Sequence, residues 1–467
     1  MSTADPMQYL RAQAPAAPSE PVHGQRIPLL HRVPFDVLVT ACVVALGLAL
    51  NHSSVLLGLN LSLADPVVAA LIAILALGRK LWVPVAPLAF FLVLSIQMLC
   101  VTVLLVPRWT SIPITTSDTV QDVTKLGVSF LCLVLGVQVV RMGHARLALR
   151  AFVAGATVVA GIAVIAQVIP LPGTGTLYYG GFRLRGLTND PNNYAVMTCA
   201  AIALLWYDRG IRIWMNVIAS TILISGVLLS ASKTGAIALA LLVVWRALGL
   251  RTPLGDDTES RTRRILAAVS MLGIGAMVVL VAPSTGLGGT LAELVSGVPA
   301  LERLSTLLVS FDTAIAGDGS GRSAAWAIAV ALILFSPLLG VGVGTYLPVA
   351  QELTGNPVLA HNTFLQIMAE WGLPMALIFL TWAIRATLMR PSHPPLRALW
   401  ATSSTASIVL LVSSVGLSLN NSRLFWFLLG ITVATHMVSA TRQHVDPTPA
   451  APPQHRFQPF PTAGDRR

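Results

Sequence analysis

Residues 324–349 read AAWAIAVALILFSPLLGVGVGTYLPV, and whether this stretch crosses a bilayer sets the orientation of everything after it. About 20 apolar residues suffice for a span, so length alone would permit one. Pro337, Gly340, Gly342 and Gly344 interrupt the run, which suits a helix on the membrane surface or a re-entrant element instead. Around it, apolar runs lie near 34–50, 60–78, 83–106, 125–140, 151–170, 193–207, 213–230, 234–250, 265–282, 367–389, 397–418 and 424–440, with a shorter one at 304–315. The runs at 34–50, 125–140 and 193–207 are short, so their helices are expected to extend into the flanks.

Composition points the same way. The 467 residues are 55% hydrophobic and 10% charged, too few charges to coat a water-soluble surface of this size. The net charge of +11 does not indicate nucleic-acid binding, because the basic residues are dispersed among loops. They follow the cytoplasmic bias that orients membrane helices. With twelve spans and a cytoplasmic N-terminus, only Arg108, Lys125, Arg183, Arg185, Lys233, Arg303, Arg322 and Arg423 remain outside. A further span at 324–349 would carry Arg385, Arg390, Arg397 and the C-terminal tail outward and cost that bias. The expected fold is therefore an all-α polytopic bundle of about twelve transmembrane helices with a large extracytoplasmic loop containing short helices. Its parts are a disordered cytoplasmic tail (1–32), nine spans (33–282), the large outer loop (283–360), three spans (361–440) and a second disordered cytoplasmic tail (441–467). No cleavable signal peptide is read at the start. Cys42, Cys100, Cys132 and Cys199 all lie in apolar runs and read as packing residues, with no spacing that suggests a metal site.

A cation on the outer side has no topological reason to be there, and four outer segments carry such cations or the chemistry to accompany them. In Arg183-Leu-Arg185 through Asp190-Pro-Asn192, Asp190 reads as a helix N-cap with Pro191 at the first helical position. The two arginines either snorkel to lipid headgroups or form an anion site beside that helix start. Ser232-Lys233-Thr joins two spans with almost no loop. Its lysine is either interfacial or aimed into an outer cavity. Gly321-Arg322 opens a helix with a cation where the dipole disfavours one, unless an anion or a partner such as Asp318 is present. His361-Asn-Thr-Phe-Leu opens an amphipathic segment with Asn362, Gln366 and Glu370 spaced to share one face. A histidine there is suited to proton transfer.

Taken in order, Arg185-Gly with Asp190-Pro-Asn192, Ser232-Lys233-Thr, Gly-Arg322-x-x-x-Trp326 with Pro337-Leu-Leu-Gly-Val-Gly-Val-Gly344, and His361-Asn-Thr-Phe-Leu with Glu370-x-Gly-Leu-Pro374 resemble the O-antigen ligase and O-antigen polymerase superfamily of integral membrane glycosyltransferases. The resemblance covers roughly 185–375. The family's turn usually carries arginine where this chain has Lys233, a point charge without the bidentate fork. The resemblance implies transfer of a glycan from a polyprenyl (pyro)phosphate carrier to an acceptor hydroxyl on a glycan, lipid or protein, at the outer face of the cytoplasmic (inner) membrane. It implies Arg185, Lys233 and Arg322 as phosphate-binding cations and His361 as general base in an inverting reaction, with Arg322 also catalytic. Asn192, Asn362 and Arg423 are supporting candidates. No paired outer carboxylates are evident, so metal independence and no cofactor are expected. Ligase and polymerase share these features. A transporter would fit the span count, but the spans hold few ionisable groups to couple a gradient and no internal repeat is evident.

Overall fold

Uninterrupted apolar runs satisfy their backbone groups internally only as helices, and helices dominate the molecule. The structure is a computed structural model describing residues 35–53, 62–113, 115–208, 210–249 and 321–445. The expectations for 1–32, the span at 265–282, the run at 304–315, Arg303 and most of the outer loop fall outside the described residues.

In chain order the helices are α1 (Phe35–Ala49), α2 (Ala64–Leu77), α3 (Val85–Cys100), α4 (Thr116–Arg141), α5 (Ala145–Ala166), α6 (Pro191–Tyr207), α7 (Ile213–Leu229) and α8 (Lys233–Ala247). Then follow α9 (Arg322–Phe335), α10 (Tyr346–Thr354), α11 (Thr363–Trp371), α12 (Leu373–Leu388), α13 (Pro394–Ser413) and α14 (Arg423–Val445). A two-stranded antiparallel ribbon, β1 (Tyr178–Tyr179) with β2 (Arg183–Leu184), sits between α5 and α6. Among the described residues, four helical stretches are long and apolar enough to cross a membrane: Val85–Arg108, Thr119–Arg141, Ala145–Ala166 and Pro394–Ser413. Others, such as Phe35–Ala49, Ile213–Leu229 and Arg423–Met437, are apolar but shorter.

Helix α4 extends well beyond the apolar run at 125–140, as its short core demanded. Helix α14 continues to Val445, past the boundary expected for the C-terminal tail at 441. The single helix expected over 367–389 is instead two, α11 and α12, broken at Gly372 with φ +77° and ψ 157°. Pro374 in the first turn of α12 suits a new helix start, and packing keeps position 372 a glycine, since a Cβ there would lie 2.4 Å from the Leu338 carbonyl oxygen.

That contact belongs to the decisive stretch. Helix α9 stops at Phe335, and the Pro/Gly segment after it packs against α3 and α11. Val341 and Gly342 N–H donate to the carbonyls of Ala369 and Glu370 at 2.8 and 3.1 Å. The Thr102 hydroxyl bonds both the N–H and the carbonyl of Val343, each at 3.0 Å. Gln97 Nε2 donates to the carbonyls of Leu339 and Trp371. The loop's polar backbone is thus satisfied by α3 and α11, as a buried irregular segment requires. Gln97 serves this brace.

Small residues set the tightest helix contact. Helices α4 and α14 approach so closely at Gly136 and Gly430 that a Cβ on Gly430 would lie 2.1 Å from the Leu133 carbonyl oxygen. Nearby, the Trp426 ring meets Phe91 and Phe379 at centroid distances of 5.4 and 5.0 Å, joining α3, α12 and α14. Helix α6 is buried on nearly every side and is covered by α5, α7, α8 and α13. Helices α6 and α8, which carry two of the candidate helix starts, are thus packed within the bundle.

Candidate functional site

Three helix starts converge on one turn. The first is that of α8. Ala231 takes φ +51°, a left-handed conformation costly for a non-glycine residue, and this reverses the chain so that Ser232 caps the helix by accepting from Gly235 N–H at 3.0 Å. Lys233 is the first helical residue, half-buried at the positive end of the dipole.

The second start, that of α9, carries Arg322 as its first residue after Gly321 at φ +59°. Arg322 Nη2 lies 3.5 Å from the Thr234 hydroxyl oxygen, so the two cationic helix starts are neighbours. Gly416, in the turn between α13 and α14, closes over both. A Cβ there would stand 3.5 Å from Thr234 Oγ1 and 3.8 Å from Arg322 Nη1.

The same turn receives the third start. Thr363 N–H donates to the carbonyls of Ser414 and Leu417 at 2.8 and 3.0 Å, and its hydroxyl bonds Leu417 O and Leu419 N, each at 2.7 Å. This locks α11 onto the turn and presents His361, which is exposed and held at φ +46°. The buried Asn362 spends its side-chain oxygen on capping α11, accepting from Phe364 and Leu365 N–H at 3.0 and 3.1 Å. It thereby fixes the helix start next to His361. Because Asn362 lies outside the helix proper, only Gln366 and Glu370 of the expected face are helical, joined by a 2.8 Å bond from Gln366 Nε2.

Asp190 caps α6 through Asn192 N–H at 2.7 Å, with Pro191 at the first position, as its sequence indicates. Asn192 then supports the α8 turn, its Oδ1 accepting from Ser232 Oγ at 2.8 Å. The arginine that joins this network is Arg183. Buried on β2, it reaches Asn192 Oδ1 and the Ser230 carbonyl, both at 3.3 Å. Arg185 Nε donates to the Thr176 carbonyl at 3.3 Å and makes no bond to the α8 turn among the described residues. Sequence carries no signal to separate two arginines two residues apart; the register of the ribbon, Tyr179 opposite Arg183, does so.

Arg423 also differs from expectation. Its guanidinium makes a fork on Asp65, Nε to Oδ1 at 2.9 Å and Nη2 to Oδ2 at 2.8 Å, with both side chains largely buried. A cation so engaged braces α14 to α2. Beside the convergent turn lies a cavity of about 550 Å³, lined by none of His361, Arg322, Lys233 and Arg185.

These helix starts sit in the segment that comparison singles out. A family model described as O-antigen ligase matches residues 218–380, from within α7 to within α12. The match supports membership of the O-antigen ligase and polymerase superfamily, a glycosyltransferase-like enzyme family that acts on lipid-linked glycans. It takes in Lys233, Arg322 and His361 but not Arg183, Asn192 or Arg423. No curated protein matches the chain.

Proposed function

We propose that the chain is a twelve-span enzyme of the cytoplasmic membrane that transfers a glycan from a polyprenyl (pyro)phosphate to an acceptor hydroxyl on the outer side. The observation that carries this reading is the convergence of the Lys233, Arg322 and His361 helix starts on the turn at 414–419. Two N-terminal helix dipoles, each with a cation in its first position, make a field suited to a dianionic leaving group.

In the reaction the acceptor oxygen attacks the anomeric carbon, the carbon–oxygen bond to phosphate breaks, and configuration inverts. His361 takes the hydroxyl proton, and the departing diphosphate keeps the bonding electrons. Lys233 and Arg322 stabilise that charge as it develops, so no metal is required for it. Arg183, through Asn192 and Ser232, keeps the α8 start in position. Arg185, held by the Thr176 carbonyl, is a further contact for the carrier's phosphates.

The test is transfer of radiolabelled glycan from extracted lipid-linked donor by the purified protein. Arg322→Ala is expected to reduce transfer about a hundredfold or more, mainly through the donor. A purely acceptor-side defect, or solute accumulation in vesicles without any glycan product, overturns the reading. Accumulated complete units in cells lacking the gene indicate a ligase, and shortened chains a polymerase.

A further inference from the structure

The cavity of about 550 Å³ beside the convergent turn is in the size range of roughly 300–1,000 Å³ typical of small-molecule sites. It is bounded by α4, α10, α11 and the residues that follow the 414–419 turn. Among the described residues its wall charges are Asp122, Lys125 and Glu370, and Lys125 Nζ lies 2.6 Å from Asp122 Oδ1. A wall with no surplus cation is a poor host for phosphate, unlike the helix starts next to it.

What the wall offers is a mixed set of neutral donors and acceptors. Gln351, Gln366, Asn420 and Asn421 contribute amides, and Tyr346 a phenol. Among the described residues Gln366 Oε1 and Tyr346 Oη have no hydrogen-bond partner although both are buried, a costly state unless a ligand or solvent completes it. The second carboxyl oxygen of Glu370 takes no hydrogen bond among the described residues. Trp371 and Leu347 add apolar faces. Alternating hydroxyl partners with flat apolar walls fit a pyranose, which both donates and accepts and has C–H faces to pack.

The placement is equally specific. Gln366 and Glu370 lie about 6 and 12 Å along α11 from Asn362, at 1.5 Å per residue, with His361 just before the helix. Asn420 and Asn421 follow directly on the turn that docks Thr363. The cavity and the candidate base are therefore both attached to α11 and to the turn on which it docks.

We propose that this cavity binds the neutral saccharide end of the acceptor and delivers its hydroxyl toward His361. The inference rests on the glycosyl-transfer reading and names the acceptor side of that site. The probes are the methyl glycosides of glucose, galactose, mannose and N-acetylglucosamine, observed by saturation-transfer NMR on the full-length protein in detergent. Inorganic pyrophosphate is followed separately by phosphorus NMR.

At least one glycoside is expected to bind. Leu347→Trp, which fills the cavity from a partly exposed wall, and Asn421→Ala should each weaken its signal about fivefold or more. Arg322→Ala should leave glycoside binding intact and weaken that of pyrophosphate. Asn421 is a partly exposed turn residue, so its variant keeps the test open should the tryptophan variant not fold. The proposal is overturned if no glycoside signal is lost in the folded variants, or if pyrophosphate displaces the sugar. Glycoside binding without any transfer would remove the transfer reading and leave the subsite standing. Unchanged acceptor KM in Leu347→Trp would remove the subsite alone.

Discussion

The α4–α14 seam and the convergent turn at 414–419 are built on opposite terms. At the seam, regular helices meet through Gly136 and Gly430 with carbonyl oxygens almost touching the facing backbone. At the turn, the chain holds Ala231 and His361 in left-handed backbone, caps its helices with Ser232 and Asn362, and gathers cations at helix starts. Local strain of this kind persists only where the surroundings over-determine it. The difference teaches that stability and chemistry occupy separate parts of the molecule, so substitutions should separate them too.

The strongest break is Gly430→Val. Its Cβ would strike the Leu133 carbonyl at a distance no side-chain rotation relieves, and a loss of more than about 3 kcal/mol is expected. Recovery of a monodisperse, normally melting protein would show that the seam does not hold the bundle. Next is His361→Gly. Glycine relaxes the +46° φ while removing the imidazole, so transfer should fall roughly 10²–10⁴-fold with Tm unchanged or raised. Retained transfer would assign His361 a backbone role and leave the proton without this acceptor.

Asp65→Ala sharpens the contrast between cations. It leaves the Arg423 charge buried without its fork and should cost about 3–5 kcal/mol, read as a lower Tm, with the residual folded protein still active. A selective loss of donor use at normal Tm would return Arg423 to the carrier site.

The smallest effect concerns pH. The Ser111 N–H and hydroxyl and the Thr110 hydroxyl hold the exposed Glu352 carboxylate below its ordinary range, tying the end of the α3 stretch to α10. A depressed carboxylate contributes stability that is complete above its unfolded value and disappears as pH falls through its folded one. Glu352→Gln should therefore slightly flatten the acid limb of Tm against pH and change little at neutrality. An identical acid limb in the variant would show that the tie carries no stability.

How far these features are legible from residues alone differs between them. The helical class, the α6 cap at Asp190-Pro191 and the failure of 324–349 to continue as one helix all follow from local rules: apolar length, capping chemistry and Pro/Gly interruption. The break between α11 and α12 is legible in part: Gly372 followed by Pro374 lets one helix stop and another start, while the closeness of position 372 to the Leu338 carbonyl, distant along the chain, is not.

The candidate site divides in the same way. Residue type and position mark Lys233, Arg322 and His361, since a cation at a positive helix end or a histidine opening a helix is conspicuous in one dimension. Which arginine supports α8, and which cation is consumed by a carboxylate, depends on partners far apart in sequence. Arg183 meets Asn192 and Ser230 through the ribbon's register, and Arg423 meets Asp65 across the bundle. Sequence determined the chemistry available at each helix end, because propensity and charge are properties of neighbours along the chain. Tertiary structure decided which of those ends meet and which are neutralised, because electrostatic pairing depends on distance through space.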